Sequence, residues 1–371
     1  VPAFLQSDLF PSRLGNYPVH YPGCAAELAA HLEETLGNYS RVFWVSDAAL
    51  LPLLSVHWPE LHSLLNKHPF WAQGSGESLK TPVCAYAVHA ALSETGIDRQ
   101  SVIVALGGGS VTDLAGFVAG TYFRGIPYIN IPTTLVGMID SALGGKTGIN
   151  LPGAKNAIGV FHPPKAIYTL VDFLKSLPAQ TLRGAFGEVI KYALIGGGDF
   201  FETLEQADPE DLNPQILHNY VQRCVHIKGR YVALDEDDTQ KIRTVLNLGH
   251  TFAHALESAL HYTQCSHGEA TALGIYLACQ ASEALCGLSP SVTQRVLGLL
   301  QKYQLPTSLS MPVRLDTLMA NMSKDKKQNQ STPGLNLILL QDIGNVYWHP
   351  TDQLALIRKL WLQAGAEAPH P

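Results

Sequence analysis

The stretch VIVALGGGSVTDLAG, residues 102–116, decides the fold. Five apolar residues are followed by Gly107-Gly108-Gly109-Ser110, and then by a segment of helical spacing. A short apolar run closed by a Gly-rich turn reads as a strand, so the unit is strand–turn–helix. Backbone amides in such a turn, aimed by a helix N-terminus, bind phosphate. A plain structural turn has the same composition. The dinucleotide fingerprint G-x-G-x-x-G is not met, because Thr112 stands at its third glycine. Nor does an acidic residue follow about 20 positions on, where a ribose contact would be expected.

Outward from this stretch the same grammar repeats. RVFWVSD (41–47) and IPYINIPTT (126–134) are further short apolar runs ending in polar turns. The helical candidates PVCAYAVHAALSETG and DLAGFVAGTYF lie between them. Strand–helix alternation predicts a parallel sheet with helices on its faces. From about Leu177 helical patterns take over, in LRGAFGEVIKYALI, ILHNYVQRCVHIKGRYVAL, IRTVLNLGHTFAHALESAL, EATALGIYLACQASEALCG and SVTQRVLGLLQKYQ. LNLILL (335–340) is the exception. The expected architecture is an α/β, Rossmann-like domain over residues 1–177 and an all-α domain over 178–371, divided at the proline of LKSLPAQ. The tail AGAEAPHP is expected to fray.

Composition excludes several classes. Of 371 residues, 46% are hydrophobic and 15% charged, which fits a globular protein with a sizeable core. The net charge is −6 and no dense Lys/Arg run occurs, which argues against nucleic acid and anionic membrane as partners. No apolar stretch reaches the roughly 18 residues of a membrane span. The opening VPAFLQSDLFPSR, without an initiating Met, lacks the charged-then-apolar layout of a signal peptide. Six cysteines without a C-x-x-C pair read as free thiols in a reducing, cytoplasmic compartment. Any metal would then be sought among His and carboxylates.

One helical stretch is unusual. Around VLNLGHTFAHALE (245–257), Arg243, Asn247, His250 and His254 fall within an arc of roughly 60° at helical spacing. Val245, Leu248, Phe252, Leu256 and Ala259 fall opposite. A solvated face usually carries Lys, Glu and Gln; this one does not. A zinc ion that does chemistry needs about three protein ligands and an open position. His250 is one candidate, His267 in SHGEA a second, and Glu188 in AFGEVIKYAL a third. The plainer reading of Glu188 is an exposed carboxylate paired with Lys191, one turn on.

A second constellation lies in MIDSALGGKTGINLPGAKNAIG (138–159). Its two Gly-flanked lysines, Lys146 and Lys155, stand near Asp140 and Asn156, and TYFRG adds Arg124. Small residues let a ligand approach the backbone, and Lys supplies charge to a phosphate or carboxylate. The segment reads as a site for an anionic small molecule. KDKK (324–327) reads by default as a solvated charge run.

Taken in order, GGGSVTDLAGFVAGTYFRGIPYINIPTT, DSALGGKTGIN, KNAIGVFHPP, GEVIKYALI, LNLGHTFAHALE and HGEA resemble the 3-dehydroquinate synthases of the sugar-phosphate cyclase superfamily, from about residue 40 to 345. The resemblance implies an NAD-binding α/β domain, a helical metal- and substrate-binding domain, and an active site in the cleft between them. It implies a divalent metal, usually Zn2+ with Co2+ as an alternative, on Glu188, His250 and His267. His254 matches a non-ligand histidine near the phosphate. Lys146, Asn156, Lys191, Lys228, Arg243 and Asn247 match positions that hold the substrate's carboxylate, phosphate and hydroxyls. Asp140 and Lys155 match further active-site positions, and one of Lys326 and Lys327 matches another substrate contact. Arg124 matches a phosphate contact often supplied by a neighbouring subunit, which implies a homodimer.

For the cofactor, Gly107, Gly108, Gly109, Ser110, Asp113, Thr133 and Thr134 match the pyrophosphate and nicotinamide side. Lys146 and Lys155 also border this region. Asp47, Glu77 and Lys80 match the adenosine side, so the ribose acid lies upstream of the glycine turn. Ala49 replaces a frequent Asn there, and YTQCSHGEA replaces bulkier apolar residues before the last ligand.

The implied reaction converts 3-deoxy-D-arabino-heptulosonate 7-phosphate, a phosphorylated sugar acid, into 3-dehydroquinate and phosphate in the shikimate pathway. NAD is used catalytically: oxidation, phosphate elimination, reduction, ring opening and aldol closure leave no net redox change. Three other readings compete. A metal-dependent polyol dehydrogenase would accumulate NADH and release no phosphate. A sister cyclase would act on sedoheptulose 7-phosphate, glucose 6-phosphate or an amino-substrate; Arg243 and Asn247 match the carboxylate-recognising pattern instead. A non-catalytic NAD sensor would need no metal triad.

Overall fold

The structure, a computed structural model, describes residues 5–152, 154–261, 264–324 and 334–368. Lys326 and Lys327 lie outside the described residues. The chain divides into two compact units: Val1–Leu177 with Leu217–Asp237, and Pro178–Ile216 with Asp238–Pro371.

In the first unit the strands are β1 (Ser7–Phe10), β2 (Tyr17–His20), β3 (Val42–Ser46), β4 (Phe70–Ala72), β5 (Val102–Gly107), β6 (Tyr128–Pro132), β7 (Lys146–Leu151), β8 (Ala154–Phe161) and β9 (Ala166–Tyr168). The helices are α1 (Ala25–Leu36), α2 (Leu50–His57), α3 (Pro59–Leu65), α4 (Pro82–Glu94) and α5 (Gly109–Thr121). Seven strands form one sheet in the order β1-β2-β9-β6-β5-β3-β4, parallel except for the β1–β2 pair. The central strands β3, β5 and β6 are buried at every position. That explains why they read as continuous apolar runs rather than alternating ones. Phe43, Val45, Ile103 and Ala105 pack with Val88 and Leu92 of α4 and with Val111, Leu114 and Val118 of α5. From β3 the chain moves outward to β4, and from β5 it moves the other way to β6. The β3–β5 pair is therefore the topological switch point, where open α/β sheets bind ligands beyond the carboxyl ends of their strands. Asp47 follows β3 and the Gly107–Ser110 turn follows β5.

The lysine-rich segment has regular secondary structure in spite of its glycines. It forms an antiparallel β7–β8 hairpin, which packs against α5. A side chain at Gly116 of α5 would meet Thr147 Cγ2 at 2.4 Å, so the hairpin sits where only glycine permits it.

The second unit is largely helical. It contains α6 (Ala179–Gly196), α7 (Asp199–Gln206), α9 (His250–Ala259), α10 (His267–Cys286), α11 (Pro290–Lys302), α12 (Leu315–Ser323) and α13 (Leu354–Gln363). Helix α8 (Pro214–Leu234) begins there and continues into the first unit. LNLILL belongs to β10 (Leu335–Asp342), which pairs antiparallel with β11 (Asn345–Thr351), so the unit holds a hairpin among its helices. Of the tail expected to fray, Glu367 is tied down, while residues 369–371 lie outside the described residues. The Glu367 N–H donates to Val313 O at 2.9 Å, and its carbonyl accepts from Leu315 N at 3.0 Å.

Helix α10 packs against α6, α9, α11, α13 and β10, and is accordingly apolar nearly all round. Its crossings with α6 and α9 are made by glycine. An added Cβ at Gly187 would lie 2.1 Å from Gly268 O, and one at Gly268 would lie 2.0 Å from Gly184 O. Likewise a Cβ at Gly274 would meet Gly249 O at 2.2 Å. Backbone touches backbone at both crossings.

Packing at these crossings is testable. Gly187→Ala forces α6 and α10 apart and should cost about 2–4 kcal/mol, read as a lowered urea midpoint. A second prediction concerns His20, whose ring lies 4.7 Å from His31 and stacks on Tyr168 at 4.8 Å. Burial, helped by His31, lowers its pKa from 6.5 to about 4. The unfolded chain therefore takes up this proton first, and stability should fall as pH drops from about 6.5 to about 4. His20→Phe should lose less stability than the parent across that window; an equal loss in both proteins would rule out His20 as the source.

Candidate metal centre and anion-binding groups

In the second unit, Glu188 sits mid-α6, His250 opens α9 and His267 opens α10. Among the described residues these form a group whose ligand atoms all lie within 4.8 Å of one another. Glu188 is fully buried, not exposed as its plainer reading has it, although the pairing with Lys191 is real: Lys191 Nζ meets Glu188 Oε2. The other carboxylate oxygen, Oε1, accepts from Thr271 Oγ1 at 2.9 Å. It also lies 3.5 Å from His250 Nε2 and 3.3 Å from His267 Nε2.

The far nitrogens settle the tautomers. His250 Nδ1 is 3.1 Å from Leu248 O, and His267 Nδ1 is 3.1 Å from Glu257 Oε1, so each must donate there. In the neutral rings both Nε2 lone pairs then face one carboxylate oxygen. Acceptors converge on acceptors, which only a cation or shared protons can reconcile. Metal-bound histidines are characteristically oriented in this way, with the distal N–H held by a carbonyl or carboxylate. The donor set, one carboxylate and two imidazoles, suits a zinc-type ion.

Charges in the cluster are strongly displaced. Burial opposes ionisation of Glu188, but Lys191 first, then His250 and His267, outweigh it and hold the carboxyl well below its usual range. Burial, then Lys191, push His250 well below the usual imidazole value. Burial acts the same way on His267, but Glu188 and Glu257 overcome it and raise its pKa to about 10. His254, one turn along α9, places its ring 5.4 Å from that of His250 and 6.4 Å from that of His267.

Arg243 and Asn247 do not share a helix with the histidines. They lie on a 3-10 turn, Arg243–Asn247, separated from α9 by Gly249 at φ +77°. A left-handed residue breaks the helical register, so the expected continuous face from 243 to 254 is two short pieces. Arg243 is nonetheless buried, and Asn247 Nδ2 donates to Thr244 O at 3.0 Å.

In the first unit a polar network surrounds the glycine turn. Lys80, almost wholly buried, donates to Asp113 Oδ2 at 2.6 Å and to Asn156 Oδ1 at 2.5 Å. Glu77 accepts from Ser110 Oγ at 3.1 Å and from Asn150 Nδ2 at 2.7 Å. Burial raises the pKa of Asp113 in spite of Lys80. Asp47 turns one oxygen back to accept from Ala49 N at 2.9 Å and Leu50 N at 3.2 Å. Thr133 N donates to Gly107 O at 2.9 Å, and Thr134 Oγ1 accepts from Gly137 N at 3.1 Å.

Residues Gly137–Ser141 form a π-turn, a rare geometry often found at functional sites. It presents Asp140 to Lys228 of α8, whose Nζ donates to Asp140 Oδ1 at 2.6 Å and to Asp140 O at 2.5 Å. Lys146, at the exposed start of β7, lies 5.9 Å from the Phe161 ring centroid. Lys155 is half-buried on β8. Asn156 and Arg124 adopt φ of +51° and +67°, conformations that cost energy for a residue with a Cβ. Arg124 is exposed on the turn Tyr122–Arg124.

Three participants escape a reading by sequence alone: Glu257, Thr271 and Asn150. Glu257 has a signal, since it is a carboxylate amid the apolar positions of HTFAHALESA. The placement of His267 has one too. Ser266-x-x-Glu269 is a capping box: Ser266 Oγ accepts from Glu269 N at 3.3 Å, and Glu269 Oε2 accepts from Ser266 N at 2.9 Å. It fixes His267 as the first residue of α10.

Comparison with known proteins identifies the family. Residues 71–184 match the family profile "3-dehydroquinate synthase N-terminal", and residues 185–328 match "3-dehydroquinate synthase C-terminal". The chain is 42% identical over 313 residues to the 3-dehydroquinate synthase of Geobacillus thermodenitrificans (strain NG80-2), covering 83% of each chain. A solved 2-epi-5-epi-valiolone synthase from Streptomyces hygroscopicus subsp. jinggangensis 5008, with NAD+ and Zn2+ bound, superposes with a TM-score of 0.83 at 25% identity, covering 95% of this chain and 98% of that one. A 2-deoxy-scyllo-inosose synthase complexed with carbaglucose-6-phosphate, NAD+ and Co2+ shares the fold, with a TM-score of 0.85 at 22% identity, covering 97% of this chain and 100% of the other. No helix among the described residues is long and apolar enough to cross a membrane. With both of its profiles matched in sequence and a full-length fold in common with sugar-phosphate cyclases, the chain belongs to the 3-dehydroquinate synthase family.

Proposed function

We propose that the chain converts 3-deoxy-D-arabino-heptulosonate 7-phosphate into 3-dehydroquinate and phosphate, as an NAD-dependent carbon–oxygen lyase of the shikimate pathway. The observation that carries this reading is the convergence of His250 Nε2 and His267 Nε2 on Glu188 Oε1, within a chain of this family. Glu188, His250 and His267 would hold a divalent metal, and the Gly107–Ser110 turn with Asp113, Thr133 and Thr134 would hold NAD, with Asp47, Glu77 and Lys80 on its adenosine side. When bound, the metal would supply Lewis-acid polarisation of a substrate oxygen and NAD+ a reversible hydride acceptor.

The remaining roles fall to the chain's own side chains. Lys146, Lys155, Asn156 and Lys228 of the first unit, and Lys191, Arg243 and Asn247 of the second, are donors and positive charges of the kind that suit a substrate bearing both phosphate and carboxylate. A multistep reaction requires both anions to be held in one orientation. Asp140 fixes the Lys228 ammonium through two contacts, and the π-turn fixes Asp140. His254 stands outside the ligand triad, and its nearness to His250 and His267 supports a role in exchanging protons with the substrate phosphate. We read the protein as a cytoplasmic homodimer in which Arg124 reaches the phosphate of a neighbouring subunit. Its exposure and its left-handed backbone support that reading.

Two tests address it. Zn2+ content by mass spectrometry should be close to one per chain in the parent and lost in His250→Ala. Glu257→Gln, which weakens the hold on His267 Nδ1, should bind the ion about 10–100-fold less tightly. Full retention of metal by His250→Ala would exclude the triad. The reaction class is tested by turnover: trace NAD+ should support many cycles, each releasing one phosphate with no steady rise in NADH absorbance. Stoichiometric NADH with the heptulosonate phosphate would point to a dehydrogenase instead.

A further inference from the structure

The turn that carries Arg243 is reached through an unusual loop. Asp238 and Lys241 both adopt left-handed backbone, with φ of +54° and +65°, and neither is glycine. Such residues stay in that region only when their surroundings hold them there. Each has an identifiable hold. Asp238 Oδ1 accepts from Thr244 Oγ1 at 3.0 Å. The ammonium of Lys241 lies 4.0 Å from the centre of the Trp348 ring, well within the range of a cation–π contact. Trp348 is on β11, opposite Ile338 of β10, and β11 packs against the Arg243–Asn247 turn. The loop is thus clipped locally by Thr244 and at long range by Trp348. Arg243, buried, lies between Lys241 and Thr244 in the chain.

We propose that Trp348 is a positioning residue: its ring holds Lys241 in the left-handed conformation and so sets the direction from which Arg243 enters the substrate site. The proposal rests on Arg243 meeting the substrate's anionic group, as argued above. Trp348 acts from β11, at one remove, through Lys241 and the turn that follows it. The physical logic is conformational. With the ring gone, Lys241 relaxes to an ordinary φ, and the two peptide units leading to Arg243 turn with it. Glycine at 241 would adopt the same φ without help. That separates the anchor's role from packing in general, since a glycine there makes the anchor redundant.

The test uses the metal- and NAD-loaded enzyme and follows KM, kcat, metal content and thermal midpoint. Trp348→Ala should raise KM for the heptulosonate phosphate about tenfold, the scale expected when a left-handed residue loses its hold. kcat should change by less than about threefold, and metal content not at all. Trp348→Phe, which keeps an aromatic face, should restore most of the affinity. In a Lys241→Gly background, Trp348→Ala should have no further effect on KM. Arg243→Leu serves as the reference and should raise KM strongly. If Arg243→Leu leaves KM unchanged, the assignment of Arg243 fails and the proposal with it. If Arg243→Leu raises KM but Trp348→Ala does not, the positioning role alone is overturned. An equal Trp348→Ala effect in the parent and Lys241→Gly backgrounds, or metal loss in step with KM, would likewise overturn it, by showing that the ring only supports the fold.

Discussion

The convergence of Glu188, His250 and His267 depends on helices that touch through bare backbone. Helices packed through side chains usually keep their axes about 8–10 Å apart. At the α6–α10 and α9–α10 crossings, glycine removes the spacer, and carbonyl oxygens would stand 2.0–2.2 Å from any Cβ added opposite. Each member of the triad is the immediate neighbour of a crossing glycine: Glu188 follows Gly187, His250 follows Gly249, and His267 precedes Gly268. The three candidate ligands are therefore brought together by main-chain approach between their helices. A short carboxylate and two rigid imidazoles can then reach a common point with little entropy left to lose.

That arrangement places an electrostatic burden on a buried region. Glu188 and Lys191 are both sequestered from water, and a buried charge is tolerated only when paired and hydrogen-bonded. Thr271 and Lys191 meet the need of Glu188, while Glu257 steadies His267. The first unit solves the same problem around Lys80, whose ammonium is shared between Asp113 and Asn156. In both places the polar groups orient one another through direct contacts. This is the preorganisation on which electrostatic catalysis relies.

Much of this is legible in sequence, for identifiable reasons. Strands β3, β5 and β6 are buried on both faces, so each announces itself as an unbroken apolar run beside a turn. The candidate ligands stand out because His and Glu interrupt otherwise apolar helices. The failures are equally physical. Periodicity counts residues and cannot see that Gly249 takes a left-handed φ, so it puts Arg243 and Asn247 on one face with His250. The β7–β8 hairpin is hidden because Gly148 and Gly159, which face each other's backbones, mimic the composition of a loop. Thr271 carries no signal at all: a threonine in a helix becomes informative only when the carboxylate beside it is known.

The excursion of residues 217–237 into the first unit bears on how the protein is made. Lys228 secures Asp140 from a helix encoded 88 residues later, and Gly229 packs beside Phe10 near the start of the chain. A ribosome delivers residues in order, so the N-terminal unit cannot complete its native contacts when its own continuous segment ends at Leu177. It must wait, partly finished, while α6 and α7 emerge and until α8 has cleared the exit tunnel. Domains usually fold as units during synthesis, N-terminal first. Here the first unit can close on one side only after residues 178–216 of the second have been made. A nascent chain halted before Asp237 would present an incomplete sheet domain to chaperones, and exchanging that domain between relatives would require cutting the gene at three places instead of one.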